Sequence, residues 1–163
     1  MKKINISTPK HPNTFALVND EDFKSLNAHK WYANEKREGK LYACRSTNSN
    51  GKETGLLMHV EIMGTIKGKE VDHRSGDTLD NQRKNLRHCT NAENQINRGP
   101  QRNNKSGYKG VCWSKRDSNW RAHIKYSGKT KNIGSFTCLI KAAKAYDKKA
   151  KELFGEFAYL NFP

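Results

Sequence analysis

Acidic side chains are scarce in this sequence: 16 Asp and Glu stand against 31 Lys and Arg in 163 residues, a formal net charge of +15. That imbalance points to a polyanionic partner. Long apolar runs are missing too. No stretch approaches the roughly 20 apolar residues that a membrane span needs, so nucleic acid suits the charge better than a lipid surface. Paired cysteines are also lacking. Cys44, Cys89, Cys112 and Cys138 are scattered with no Cys-x-x-Cys among them, which leaves neither a disulfide framework nor a thiolate zinc knuckle to expect. The opening "MKKIN" is basic, but no apolar segment follows it. No secretory signal is read there, and an intracellular, cytoplasmic protein with reduced thiols is expected.

The excess of base is uneven. Residues 1–94 hold 16 basic and 12 acidic side chains, whereas residues 95–163 hold 15 and 4. A chain of this length can form one ordinary domain or two small ones with modest cores, and the step in charge favours two. The polar, basic run "GPQRNNKSG" reads as the join, so the expected parts are 1–98, a linker at 99–106, and 107–163. In the first part "FALVND" reads as a strand and "DEDFKSLNAHKW" as a helix capped by Asp20. "GKLYACRS" and "TGLLMHVEIMG" read as extended or partly helical segments around a turn at "NSNGKE".

The stretch from Lys67 to Asn97, "KGKEVDHRSGDTLDNQRKNLRHCTNAENQIN", carries the most chemistry. "GKEVDH" and "LRHC" read as short strands around the turn-rich "RSGDTLDNQRKN". "TNAENQINR" then begins a helix in which Thr90 and Glu93 fit a capping box. Strand, loop, strand and helix together bring Asp72 and His73 opposite a helix start that bears Asn94. An Asp carboxylate and an Asn carbonyl oxygen are hard ligands suited to Mg²⁺, and a neutral His73 can take a proton from a water that attacks a phosphodiester. Taken singly, these residues also suit plainer work: Asp72, Asp77 and Asp80 as turn formers, Asn85 as a loop cap, Thr90 with Asn94 as a bare helix start. Their order and spacing as a set favour chemistry.

Over Val71 to Asn97, on "VDH", "DNQRKNLR" and "NAEN", the sequence resembles the HNH nucleases of ββα-metal fold. It is closer to their homing-endonuclease branch, in which the last histidine is an asparagine. The resemblance implies that His73 is the general base, that Asp72 and Asn94 bind a divalent cation such as Mg²⁺ or Mn²⁺, and that Asn85 braces the loop holding His73. Asn81 and Arg83 fall in the family's Asn-Asn-Arg region, with Arg83 toward DNA, although Asp80 stands where the pattern usually has its first Asn. His59 in "LMHVEIMG" occupies a place where related proteins carry a histidine, and it reads equally as a packing histidine. His88 and Cys89 read as structural.

In the basic part, "KGVCWS", "NWRAHIKY" and "KTKNIGSF" read as three strands joined by turns at "KRDS" and "SGK". Trp120, Ala122, Ile124 and Tyr126 alternate with Arg121, His123 and Lys125, giving one apolar and one basic face. After Thr137 as N-cap, Leu139, Ala143, Tyr146, Ala150 and Leu153 form a helical stripe that Gly155 ends. From Lys105 to Pro163 the chain resembles the APETALA-type DNA-binding domain of plant transcription factors, on "SGYKGV", "W-x-A-x-I", "IGSF", "AAKAYDKKA" and "LNFP". That type also occurs fused to HNH nucleases in mobile elements. The resemblance implies that Lys109, Trp113, Arg121, His123 and Lys125 face DNA, while Trp120, Ala143, Tyr146 and the Asn161–Pro163 tail support the fold. For Trp113 a core or stacking role fits as well as a base contact. Lys109 and Cys112 stand where the plant pattern has arginine, so its DNA sequence preference is not carried over.

The fold class expected is α+β: a small mixed part with a ββα hook, then a three-stranded antiparallel sheet packed on a C-terminal helix. The function expected is a metal-dependent, site-directed DNA endonuclease of the homing type, in which the front cuts and the back binds duplex DNA. It would act as a monomer or weak dimer in a bacterial or phage-infected cell, with no small-molecule cofactor and no membrane partner. The alternative is a DNA-binding regulator that keeps the HNH scaffold without cutting. RNA binding or cleavage fits the charge alone.

Overall fold

Short strands in which every second residue turns inward build most of the N-terminal half. A computed structural model describes residues 1–36, 39–49 and 51–163, so Asn50 of the expected "NSNGKE" turn lies outside the described residues. In β1 (Lys2–Asn5) Ile4 is buried, in β2 (Phe15–Val18) Ala16 and Val18 are, and the two strands pair antiparallel with Ile4 opposite Ala16. α1 (Asp20–Asn27) carries Asp20, Glu21 and Asp22 in its first turn, where the helix dipole favours negative charge. Its cap position belongs to Asn19, not to Asp20 as expected, because the carbonyl of Asn19 already enters the helix and Asp20 is its first helical residue. Trp31 closes the far end by donating its indole N–H to the Leu26 carbonyl at 2.8 Å.

β3 (Tyr32–Glu35), β4 (Leu41–Ser49) and β5 (Lys52–Leu57) form an antiparallel sheet in that order. β1 and β3 are too short and polar to stand out as strands, and pairing with β2 and β4 is what makes them so. α2 (Met58–Met63) buries Met58, His59 and Ile62 and stops at Gly64, whose φ of 71° favours glycine. β6 (Glu70–His73) and β7 (Leu86–Cys89) pair antiparallel, with Asp72 opposite Arg87 and His73 opposite Leu86. A loop between them ends in a single 3₁₀ turn, Arg83–Asn85. α3 (Asn91–Asn97) starts directly after Thr90, where the capping-box reading places it. Ile4, Ile6, Val18, Leu26, Trp31, Met58 and Leu86 share one core.

The chain divides into two compact units, Met1–Asn91 and Ala92–Pro163. In the second, β8 (Val111–Ser114), β9 (Asn119–Tyr126) and β10 (Lys129–Phe136) form an antiparallel sheet in the order β10-β9-β8. Ser127 and Gly128, both at positive φ, make the two-residue hairpin turn that matches strand twist. α4 (Leu139–Phe154) lays Ala142, Ala143, Tyr146 and Ala150 on the sheet, against Val111, Ala122 and Ile124. Its cap position is Cys138, one residue later than Thr137, and Gly155 at φ 53° ends it as expected. The tail is tied back to α4 and to the segment before β8: Asn161 exchanges hydrogen bonds with the main chain of Lys109, and its own N–H and amide donate to Asp147. The whole is α+β, as the sequence leads one to expect.

Candidate active site

The β6–β7 loop is held by its asparagines. Asn85, buried at the loop's end, accepts the Ser75 N–H on its side-chain oxygen at 2.9 Å and donates to the Asp80 carbonyl at 2.8 Å. One amide thereby fixes both limbs of the loop. Asp77 and Asp80 accept main-chain N–H groups two residues on, from Leu79 and Gln82, as turn-forming aspartates do. Thr78 anchors the loop to β4 by donating to the Leu41 carbonyl.

Asn81, almost wholly buried, donates to the Leu79 carbonyl and sets its side-chain oxygen 3.4 Å from Nε2 of His73. A carbonyl oxygen at that nitrogen selects the tautomer with the proton on Nε2, which makes Nδ1 the basic nitrogen. His73 is itself buried at the end of β6. Burial pushes its pKa below the ordinary 6.5, while Asn81 and then the carboxylates of Asp72, Asp77 and Asp80 draw it part of the way back. Its imidazole is therefore neutral near pH 7. His59 of α2 stands edge-on to it, ring centroids 4.8 Å apart, and Tyr42 of β4 lies 5.8 Å from His59 and 6.2 Å from His73. Burial, then the neighbouring His73, pushes His59 down to about 3. The sequence marks His59 as either a site or a packing residue; in the fold it does pack, and what it packs on is His73. No sequence signal picks out Tyr42.

Asp72 points to the other side of β6, as strand alternation requires. There it meets Arg87, directly opposite on β7, which donates to Oδ2 from Nη2 at 2.9 Å and from Nε at 3.2 Å, both side chains being buried. No local sequence pattern marks this pair; the antiparallel register of the two four-residue strands sets it. Asn94 is the fourth residue of α3 and falls in the second unit. Among the described residues, no group of three or more His, Cys, Asp or Glu could hold a metal ion. The Asp72 carboxylate and the Asn94 amide oxygen are each hard donors, of the kind that suits an ion keeping most of its water shell.

The side chains expected at DNA divide by their present partners. Arg83 donates to both oxygens of Asp22, at 3.0 and 2.6 Å, with Glu21 3.1 Å away. Lys109 turns its ammonium onto the carbonyls of Ile96 and Arg98 and over the Tyr159 ring, and burial pushes it down to about 8. Arg121 pairs with Asp117 of the adjoining turn. Register sets Trp113 opposite Trp120, ring centroids 5.1 Å apart, hence on the face of Val111 and Ala122 and away from Arg121 and His123. It remains 47% exposed. Cys112, His123 and Arg121 share the other face, where the Cys112 sulfur lies 4.0 Å from the His123 ring. Lys125 on β9 is exposed.

The β-hairpin presents an Asp-His pair and is closed by an asparagine-braced loop, and this segment is the part of the chain that is similar to HNH endonucleases. A family model described as HNH endonuclease matches residues 62–96. Protein 3.8 of Escherichia phage T7 is 37% identical over 92 residues, which cover 56% of this chain and 75% of that protein. The chain belongs to the same family as that phage protein. It is also 28% identical over 148 residues to the "Uncharacterized HNH endonuclease L560" of Acanthamoeba polyphaga mimivirus, covering 91% of this chain and 75% of that protein. The AP2-like ethylene-responsive transcription factor TOE2 of Arabidopsis thaliana is 40% identical over 65 residues, which are 40% of this chain and 13% of the plant protein. No helix among the described residues is long and apolar enough to cross a membrane.

Proposed function

We propose that the protein is a metal-dependent, site-directed DNA endonuclease of the homing type. The observation that carries this reading is His73, a neutral buried imidazole seated on Asn81 in a loop that Asn85 braces, within the segment that matches HNH endonucleases. His73 takes the proton of the attacking water on Nδ1, while Asn81 keeps the ring in the tautomer that can accept it. The imidazolium so formed is stabilised by the carboxylates of Asp72, Asp77 and Asp80, which already act on the ring. Asp72 and Asn94 would hold a divalent cation, Mg²⁺ or Mn²⁺, which would supply neutralising charge to the phosphate and the leaving oxygen. Arg87 keeps the Asp72 carboxylate oriented.

Residues 107–163 are the proposed duplex-DNA-binding part, joined through 99–106 to a nuclease part at 1–98. α3 is counted with the nuclease part because it carries Asn94, although from Ala92 onward it lies in the second compact unit. The basic surplus of residues 95–163 and the partial likeness to a plant transcription factor support that assignment. His123 and Lys125 are the proposed contacts, with Arg121 joining them if it leaves Asp117 for a phosphate; Trp113, on the opposite face of the sheet against Trp120, is not one of them.

The test is incubation with long duplex DNA, with Mg²⁺ or with chelator, followed strand by strand on a denaturing gel. Discrete metal-dependent cuts are expected, reduced about 10²- to 10⁴-fold in His73→Ala, the span typical of general-base loss. Binding without cleavage, across several DNAs and both metals, would favour a DNA-binding regulator that keeps the scaffold.

A further inference from the structure

Arg83 sits in the loop that holds Asn81 and Asn85, and its side-chain contacts are to α1. Its main-chain N–H donates to the side-chain oxygen of Asn19 at 2.8 Å, and its guanidinium forks onto Asp22, with Glu21 beside it. Asn19 and Asp22 lie more than 60 residues earlier, at the start of α1. Just ahead of Arg83, Asn81 donates its N–H to the Leu17 carbonyl and Leu17 donates to the Leu79 carbonyl, both at 2.8 Å, making a parallel bridge between β2 and the loop. The end of β2 and the start of α1 thus grip residues 79–83 at four hydrogen-bonded points. Inside the grip, Asn81 faces His73 and Asn85 faces the Asp80 carbonyl.

We propose that this corner is a brace for the catalytic loop and that Arg83 is a positioning residue for His73, not a phosphate contact. The proposal rests on the nuclease reading for its effect on cleavage, though not for the brace itself. Two features favour it over a DNA contact. The guanidinium is matched by two carboxylates, so its charge is already neutralised locally and little is left to displace counterions from a phosphate. Asp22 is 8% exposed, and a carboxylate so placed depends on a bidentate partner; taking that partner away leaves a buried charge uncompensated. The loop then has to shift to hydrate Asp22, and Asn81 shifts with it. A general base displaced by about 1 Å loses on the order of 10²-fold in rate.

The experiment uses the full chain and three variants, Arg83→Gln, Asp22→Asn and the two combined, each measured for kcat and KM on duplex DNA and for amide hydrogen exchange over residues 77–85. A brace predicts that both single variants lower kcat about tenfold or more at nearly unchanged KM. The double variant should be no worse than the poorer single one, because both remove the same interaction. Exchange at 77–85 should quicken in all three. A phosphate contact predicts instead that Arg83→Gln raises KM and lowers the salt slope of binding by about one, that Asp22→Asn leaves kcat intact, and that exchange does not change. That pattern would overturn the proposal. If the unaltered protein cuts no DNA, the nuclease reading fails, and exchange alone judges the brace: quickened exchange supports it and unchanged exchange refutes it.

Discussion

At the scale of single residues, burial decides what each polar group can do. His59 shows this most plainly. Unfolded, it titrates near 6.5; folded, it titrates near about 3. Between those values the unfolded chain binds a proton that the folded unit refuses, so stability is lost as pH falls from 6.5 toward 3. One proton difference sets a slope of at most about 1.4 kcal/mol per pH unit. His73 shifts in the same direction and adds to the loss. Urea titrations at several pH values should show this decline, and His59→Phe should flatten it; a profile indifferent to the substitution would mean that the ring is not buried neutral. Asn85 is the second case. Replacing it by Ala strands the Ser75 N–H and the Asp80 carbonyl, at an expected cost of about 1–3 kcal/mol in unfolding free energy. Cleavage should fall with it, whereas a loop cap of no consequence would leave both unchanged.

At the scale of elements, strands in this chain are legible where alternation is strong and illegible where partners make them. β9 and β10 run from Asn119 to Tyr126 and from Lys129 to Phe136, the spans that their sequence marks, because apolar and basic residues alternate along β9 and Ser-Gly punctuates the pair. β1 and β3 have no such signature and exist by pairing. The close approach of β8 to α4 offers a test. Gly110, at φ 73°, has so little space that an added Cβ would lie 2.1 Å from the Tyr146 ring and 2.6 Å from the His123 carbonyl. Gly110→Ala therefore combines backbone strain with overpacking and should destabilise the second unit by about 2 kcal/mol or more, seen as a lowered Tm. An unchanged Tm would show that the helix yields more easily than its packing suggests.

At the scale of the whole molecule, charge is the property that most separates the parts. Residues 95–163 carry a surplus of 11 positive charges. Binding that rests on phosphate neutralisation weakens steeply with salt, by about 0.9 in log-log slope for each phosphate engaged. Arg121 and Lys125 lie on one face of β9. Replacing both by Ala should flatten the slope by about one for each phosphate lost and weaken binding to all duplexes alike. Loss of preference for one duplex at an unchanged slope would instead mark them as base readers. Arg83 and Lys109 show what charge alone leaves out: each is a basic residue in a motif, and each meets a partner that no local pattern predicts.

The sequence by itself determined the two-part charge distribution, the strand–loop–strand–helix order of the hook, the asparagines that tie its loop, and the alternation that makes one face of β9 apolar. These are local or compositional facts, set by spacing along the chain. Only the tertiary structure decided that Asp72 meets Arg87, that His59 packs on His73, that Arg83 forks onto Asp22, and that Trp113 shares a face with Trp120. Each of these depends on strand register or on a contact across the fold. Such contacts are chosen by how the core packs and which buried charges must be matched, not by what stands next to a residue in the chain.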